Sequence, residues 1–250
     1  MKAQYQTFIN NHEVTIAGNE TFNNVLALNG LCERDAVRYL QMVVHDFYPQ
    51  TFRMTALDLG AGRGVTAMTL AELGFNVVAY DMYRNSIAIL QRIALQQDLN
   101  ISFGMGGILH LESLNKKFDL INDCEGLTNL VKPEDRARYL EGVKNSLAEH
   151  GKFVMTVQVQ STQYTPEEGF ESVRLDENHV LWRETPECDV PGVVEMNGKY
   201  WTAQKRICPA DEIRREVMAA GYTILSDDLE ILPGNNPAIL RLVLTSTLGC

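Results

Sequence analysis

The stretch MTALDLGAGRGVTAMTLAELGFNVVAYD, residues 54–81, decides the fold. Its opening, MTALDLG, is a short apolar run that meets glycines at once, as a buried strand bounded by a turn does. Asp58-Leu59-Gly60-Ala61-Gly62-Arg63-Gly64 closes that strand and opens a helix expected to run to about Leu73. Gly74 stands where a C-cap glycine belongs. FNVVAYD then reads as a second buried strand ending at Asp81. Strand, glycine bend, helix and strand in this order make a βαβ unit with parallel strands.

The same rhythm continues downstream. A helix is expected from about Asn85 to Gln97, with Ile87, Leu90, Ile93 and Ala94 inward. Ile101–Phe103 makes a weak third strand, and FDLINDC (118–124) a fourth. Pro133 starts a helix expected to reach about Glu149 before Gly151, and KFVMTVQV (152–159) is a fifth strand. A helix near 209–220, then YTILS and AILRLVLTS, completes a sheet of seven strands, one of the last pair antiparallel. The expected class is α/β: a Rossmann-like, mostly parallel sheet with helices on both faces and right-handed crossovers.

Two segments fall outside this rhythm. Residues 1–48 are expected to form an N-terminal helical cap. Within it a helix from about Cys32 to Phe47 buries Val37, Leu40, Val43 and Val44 and stops at Pro49, while Tyr5, Phe8, Phe22 and Leu26 are loosely spaced in the polar stretch before it. Residues 160–207 are expected to be a β-rich insertion, because HVLWRE and KYWTAQKRI alternate like antiparallel strands around the turn-rich ETPECDVPGVVEMNG. It would lie over the active site or at the interface of a homodimer. The 250 residues otherwise read as one domain.

Composition excludes several classes. The formal net charge of −10 comes with no Lys/Arg cluster longer than two residues, which argues against a nucleic-acid partner. No apolar run is long enough to span a bilayer, and MKAQYQTFINNHEV lacks the apolar core of a secretory signal. The five cysteines are odd in number and none has CxxC spacing, so neither a disulfide framework nor a zinc knuckle is expected, and a reducing cytoplasm fits. No His/Asp cluster has metal-ligand spacing, so no metal is expected.

The glycine bend points to a ligand. Glycines let the chain turn sharply and let a ligand touch the main chain, and open α/β sheets bind ligands beyond their strands' carboxyl ends. The third glycine, Gly64, falls one place early for a dinucleotide fingerprint, where Val65 stands instead. Asp58 before the bend is also wrong for a nicotinamide dehydrogenase and suits a ligand with a cationic amino group. Asp81, 21 residues after Gly60, can accept two ribose hydroxyls. A ribose and a cation without a pyrophosphate are features of S-adenosylmethionine.

These residues resemble the class I S-adenosylmethionine-dependent methyltransferase family. ALDLGAGRG is similar to its first motif, NVVAYD to its second, FDLINDCEGLTNL to its fourth-strand motif, and GKFVMTV to its fifth strand. The cofactor half resembles the tellurite-resistance methyltransferases, a small-molecule type. The resemblance implies that Gly60, Ala61 and Gly62 pass under the methionine part and that Asp58 meets its amino group, directly or through water. It implies that Asp81 holds the ribose, that Met82 lies against the adenine, and that Asn122, Asp123 and Cys124 line the floor near the methyl group. S-adenosylhomocysteine would be the product. The sequence departs from the family at Gly106-Gly107, where many members carry an acidic residue for the adenine amino group.

The acceptor side is thinner. Asp123 and Glu125 follow the fourth strand and are the candidate catalytic carboxylates; paired there, they would attract a cationic amine. The alternative is that one caps the next turn and the other is solvated. Cys124 reads better as a buried structural thiol, and Met42, Met54, Met68 and Met155 as core. His12 and His179 are weaker base candidates, while His45, His110 and His150 look like surface or loop residues. Tyr164, Phe170, Trp182, Tyr200 and Trp201 would form a lid or a local mini-core. The sequence therefore supports methyl transfer to a small-molecule acceptor. A protein methyltransferase and a non-catalytic module sensing the donor or its demethylated product stand as alternatives.

Overall fold

The computed structural model describes residues 31–166, 171–186 and 188–247. Met1–Gly30, with Tyr5, Phe8, His12, Phe22 and Leu26, lies outside the described residues, as does Phe170. The chain runs α1 (Leu31–Phe47), β1 (Thr55–Leu59), α2 (Val65–Glu72), β2 (Asn76–Asp81), α3 (Arg84–Gln96), β3 (Ile101–Met105) and β4 (Phe118–Cys124). It continues through α4 (Pro133–Ser146), β5 (Leu147–Val159), β6 (Val173–Leu175), β7 (Val180–Thr185), β8 (Val193–Met196), β9 (Lys199–Arg206), α5 (Ala210–Ala219), β10 (Tyr222–Glu230) and β11 (Ala238–Ser246).

Seven strands form the central sheet in the order β10-β11-β5-β4-β1-β2-β3. Neighbours from β3 to β5 are parallel, and β11 runs antiparallel to both β5 and β10. The chain moves outward one way through β1, β2 and β3 and the other way through β4 and β5. The order therefore reverses between β1 and β4, which is where an open α/β sheet leaves a crevice at its carboxyl rim.

Both faces are covered. Leu40, Val43 and Val44 of α1, Ala67 and Leu70 of α2, and Leu90 and Ile93 of α3 pack on one face. Tyr139, Leu140 and Val143 of α4 and Ile213 and Val217 of α5 pack on the other. In α1 the buried stripe includes Ala36 and Tyr39, while Val37 is only partly buried and Met42 is half-exposed rather than core. The helix after Pro133 also ends earlier than its sequence suggests. Ser146 closes it, and residues 148–151 bulge out of the pairing of β5 with β4, with His150 at φ 64. Gly151 is required there, since a Cβ would stand 2.8 Å from the Phe118 carbonyl oxygen.

The insertion folds as its own antiparallel sheet, β6-β7-β9-β8. Strand β8 lies within the stretch that reads as turns. Val193–Met196 pairs with β9 through a hairpin at Asn197-Gly198, both at positive φ, a dipeptide that favours such turns. The sheet is tethered to the main one where the Gln160 amide donates to the Cys208 carbonyl at 2.9 Å.

One buried ion pair fixes the lower half. Arg136 on α4 is fully buried; its Nε and Nη2 donate to the two oxygens of Glu216 on α5, each at 2.7 Å. Its Nη1 donates to the carbonyls of Leu127 and Leu130, at 2.7 and 2.9 Å. All three donor atoms are thus engaged, the condition under which a buried guanidinium is tolerated. We expect Arg136→Met to destabilise the fold by about 3–5 kcal/mol, because Glu216 and two carbonyls lose their partner. The urea denaturation midpoint measures this, with Glu216→Gln costing less.

Candidate active site

The bend between β1 and α2 is held from below by β2. The amides of Gly60 and Ala61 both donate to the Tyr80 carbonyl, at 2.8 and 3.2 Å. The Gly62 amide donates to Asp81 Oδ2 at 2.7 Å, and Asp81 Oδ1 accepts from the Tyr83 amide at 2.8 Å. Gly60, Gly62 and Gly64 have φ of 65, 51 and 83, the left-handed region that residues with a Cβ adopt at a cost. Their surroundings differ. A Cβ on Gly60 would meet nothing within 4 Å among the described residues, whereas one on Gly64 would sit 2.1 Å from Leu90. Gly64 is a packing glycine between helices, and Gly60 faces open space.

Asp58 lies beneath the bend, 1% exposed. Its oxygens accept from Thr66 Oγ1 at 2.8 Å and Asn122 Nδ2 at 2.7 Å. Burial pushes its carboxyl up to about 6, against the lowering effect of those two hydrogen bonds. Asn122 is turned toward Asp58. Asp58 and Asn122 are register partners on neighbouring strands and so share a face of the sheet.

Asp123 takes the opposite face, because successive residues of a strand alternate. Its carboxylate is completely buried and accepts from the amides of Gly126 and Leu127, at 2.6 and 3.0 Å, and from the Tyr139 hydroxyl at 2.8 Å. It caps the short 3-10 turn Leu127–Asn129 rather than lying on a floor beside its neighbours. Burial also raises its pKa to about 6. Cys124 is half-buried at the strand end rather than enclosed.

Glu125 leaves β4 in the left-handed region, φ 69, its amide donating to the Thr156 carbonyl at 2.8 Å. It is not solvated. Gln158 Nε2 donates to both of its oxygens at 3.0 Å, and Lys205 Nζ lies 3.4 Å from Oε2. Gln158 stood out in sequence only as a polar residue within an apolar strand. Nothing local marked Lys205, Thr66 or Tyr139.

The Gly106-Gly107 departure has a steric reason at Gly106. A Cβ on Gly106 would fall 2.0 Å from the Tyr80 hydroxyl oxygen, and one on Gly104 2.8 Å from the Tyr80 ring. The large side chain on β2 excludes one at the end of β3. The Gly106 amide donates to the Asp81 carbonyl at 3.0 Å, and the Gly107 Cβ position lies 3.6 Å from Met82 Cε. Asp81, Met82, Gly106 and Gly107 are thus gathered at one rim.

The other candidates lie elsewhere. His45, His110 and His150 are exposed, and His179 faces Glu212 at 3.4 Å. Trp201 is buried within the insertion with Arg174 over its ring, a mini-core contact, and Trp182 donates to Asp176. A hollow beside α4, lined by Lys116, Lys117 and Arg138 among others, contains none of the bend residues. Its lining is mostly charged and polar, whereas pockets for small molecules are lined mainly by apolar side chains. Among the described residues no His/Cys/Asp/Glu group could hold a metal ion, and no helix is long and apolar enough to cross a membrane.

A doubly wound sheet with a glycine bend at its switch point and a carboxylate at the end of β2 defines a class of nucleoside-binding enzymes. Comparison narrows it. A family model described as a methyltransferase domain matches residues 51–204, well over half of the chain. The chain therefore belongs to the methyltransferase-domain family. It is 33% identical over 98 residues to the cypemycin N-terminal methyltransferase of a Streptomyces species, covering 39% of each chain. It is 35% identical over 65 residues to TehB of Haemophilus influenzae (strain 10810), covering 26% of this chain and 22% of that one. The matched stretches span about two fifths or less of these relatives' lengths. The crystal structure of Burkholderia thailandensis 1,6-didemethyltoxoflavin-N1-methyltransferase has the same fold, with a TM-score of 0.64 at 17% identity, covering 99% of this chain and 92% of that one.

Asp58 yields a pH prediction. A folded-state pKa above the ordinary 3.8 means that folding favours the protonated acid. Its stabilising effect is complete below about 3.8 and is lost as pH rises through about 6. The isosteric Asp58→Asn should therefore gain stability relative to wild type as pH rises from about 4 to 7, by roughly 1–3 kcal/mol. Urea denaturation of both proteins across that range measures the difference, and a constant difference would contradict it.

Proposed function

We propose that this chain transfers a methyl group from S-adenosylmethionine to a small-molecule acceptor at the crevice between β1 and β4, releasing S-adenosylhomocysteine. The observation that carries this reading is the open cradle at Gly60, with amides fixed by Tyr80 and Asp81 below it. A ligand can lie directly on the main chain at that point.

The residues present fit the donor, with Asp58 meeting its amino group through water, one of the two contacts expected of it, direct or through water. Asp81 accepts from the amides of Gly62 and Tyr83, which hold its carboxylate at the rim where the donor's ribose would lie. Met82 with Gly106 and Gly107 offers a flat apolar wall for an adenine, and main-chain groups there replace the acidic contact that the family usually has. Asp58 lies too deep for direct contact with an amino group. Ionised, it places a negative charge under the bend, and Asn122 and Thr66 orient it. When bound, the donor supplies a methyl group already activated by its sulfonium.

The protein's part is then position and exclusion of water, which together can supply roughly 7–11 kcal/mol. We assign the in-line geometry to the rim of β4. The exit of β4 stands about 5 Å, one strand spacing, from that of β1. Glu125 is the carboxylate on the acceptor side, able to take a proton from the attacking group. Asp123 acts through the backbone: it holds the turn that follows Glu125. Among the described residues Cys124, Cys188 and Cys208 form no disulfide, which suits a reducing compartment such as the cytoplasm.

Two substitutions test the cofactor half by calorimetry. Asp81→Ala should weaken donor binding by about 1–3 kcal/mol through loss of charge-assisted hydrogen bonds. Gly60→Val should abolish binding, since its side chain fills the cradle and a β-branched residue strains the bend at φ 65, with the circular dichroism spectrum showing that the overall fold persists. Normal donor binding by both variants would overturn the site.

A further inference from the structure

Glu125, Gln158 and Lys205 come from three different elements and meet at the rim beside the bend. Glu125 leaves β4, Gln158 is on β5, and Lys205 is on β9 of the insertion. Lys205 Nζ stands 3.4 Å from Glu125 Oε2 and 3.3 Å from Gln158 Oε1. Both contacts are longer than the roughly 2.7–2.9 Å of a tight charge-assisted hydrogen bond. An ammonium has three donors, so Lys205 is balanced in charge without being saturated in hydrogen bonds. Its side chain and that of Glu125 are 27% and 20% exposed, sheltered yet reachable.

The cluster is built rather than incidental. Glu125 holds a left-handed backbone, locked by its amide on the Thr156 carbonyl. Strand β9 rests on the 3-10 turn that Asp123 caps, and the Gln160–Cys208 hydrogen bond fixes the chain three residues beyond Lys205.

We propose that this triad recognises the methyl acceptor, and that the acceptor is a neutral small molecule presenting an O–H or N–H donor beside a carbonyl oxygen. The proposal deepens the methyltransferase reading and rests on it. The charge count selects the class. Among the described residues of the cluster one carboxylate faces one ammonium, so a cationic acceptor meets Lys205 and an anionic one meets Glu125, each a like-charge contact that specificity devices exploit. A neutral donor–carbonyl edge satisfies both, the donor facing Glu125 and the carbonyl facing Lys205. The nucleophile's lone pair forms the new bond to the methyl carbon as the carbon–sulfur bond breaks, with that electron pair remaining on sulfur. The nucleophile's proton passes to the Glu125 carboxylate. The insertion thus belongs to the acceptor site, supplying the group that sets its charge.

The test is titration of the full chain, saturated with S-adenosylhomocysteine, with 2-pyridone, benzylamine and benzoate, followed by calorimetry or protein NMR. The neutral 2-pyridone should bind at least about tenfold more tightly than either charged probe. Lys205→Met should weaken 2-pyridone by about tenfold and move the preference toward benzylamine, because Glu125 is then unbalanced. Lys205→Arg should restore the wild-type order. S-adenosylhomocysteine binding by each variant reports that it is folded. Stronger binding of benzylamine or benzoate by the wild type, no probe binding at all, or an unchanged order in Lys205→Met overturns the proposal. Failure of S-adenosylhomocysteine to bind the wild-type chain sinks the cofactor reading, and this one with it.

Discussion

Two amides on one carbonyl organise this molecule. When Gly60 and Ala61 both donate to Tyr80, the chain leaving β1 is forced to fold back across the end of β2 before α2 begins. The turn is possible only because three glycines take positive φ within five residues. It sets the start of α2, brings the Gly62 amide onto Asp81, and leaves the main chain uncovered at Gly60. Without that bend the sheet would still close, but its switch point would present side chains where a ligand needs backbone.

The other side of the crevice is fixed by different physics. Asp123, Tyr139, Arg136 and Glu216 form a buried polar system in which the donors and acceptors are matched across β4, α4 and α5. Such systems are costly to bury and tolerated only when satisfied, which confers rigidity and a single arrangement on the turn they enclose. The turn at Leu127–Asn129 is therefore a firm support for both Glu125 before it and β9 above it. Two carboxylates only two residues apart diverge completely in environment as a result. One is a cap sealed in the interior, the other a half-sheltered group facing an ammonium.

In the proposed reading, the four-stranded insertion gives a shared fold its own acceptor site. The glycine bend and the β2 carboxylate would answer to the nucleoside of the donor, so their chemistry is local. The acceptor side would answer to a molecule that differs from one enzyme to the next. Glu125, Gln158 and Lys205 come from a strand end, a neighbouring strand and an added sheet, three parts that sequence order keeps far apart.

That division explains what could be read in advance. The periods of 2 and 3.6, the glycine spacing and Asp81 gave the β–α alternation, the seven strands, the antiparallel last strand and the bend, because each rests on contacts within a few residues. Helix ends shifted by a turn where a bulge at 148–151 competed with the helix, and β8 escaped notice because four residues in a Pro/Gly-rich stretch carry no usable period. Asp123 and Glu125 looked equivalent as a string of letters, and two residues apart on one strand they would share a face; the left-handed backbone at Glu125, just past the end of β4, separates them. Gly106-Gly107 looked like a lost contact, and the Tyr80 side chain explains its first residue. The sequence by itself determined the sheet, the bend and the nucleoside side of the crevice, since these follow from local periodicity and backbone freedom. Tertiary structure alone decided which carboxylate faces the crevice and that Lys205 stands opposite it, since Coulomb and packing forces act through space between residues 80 positions apart.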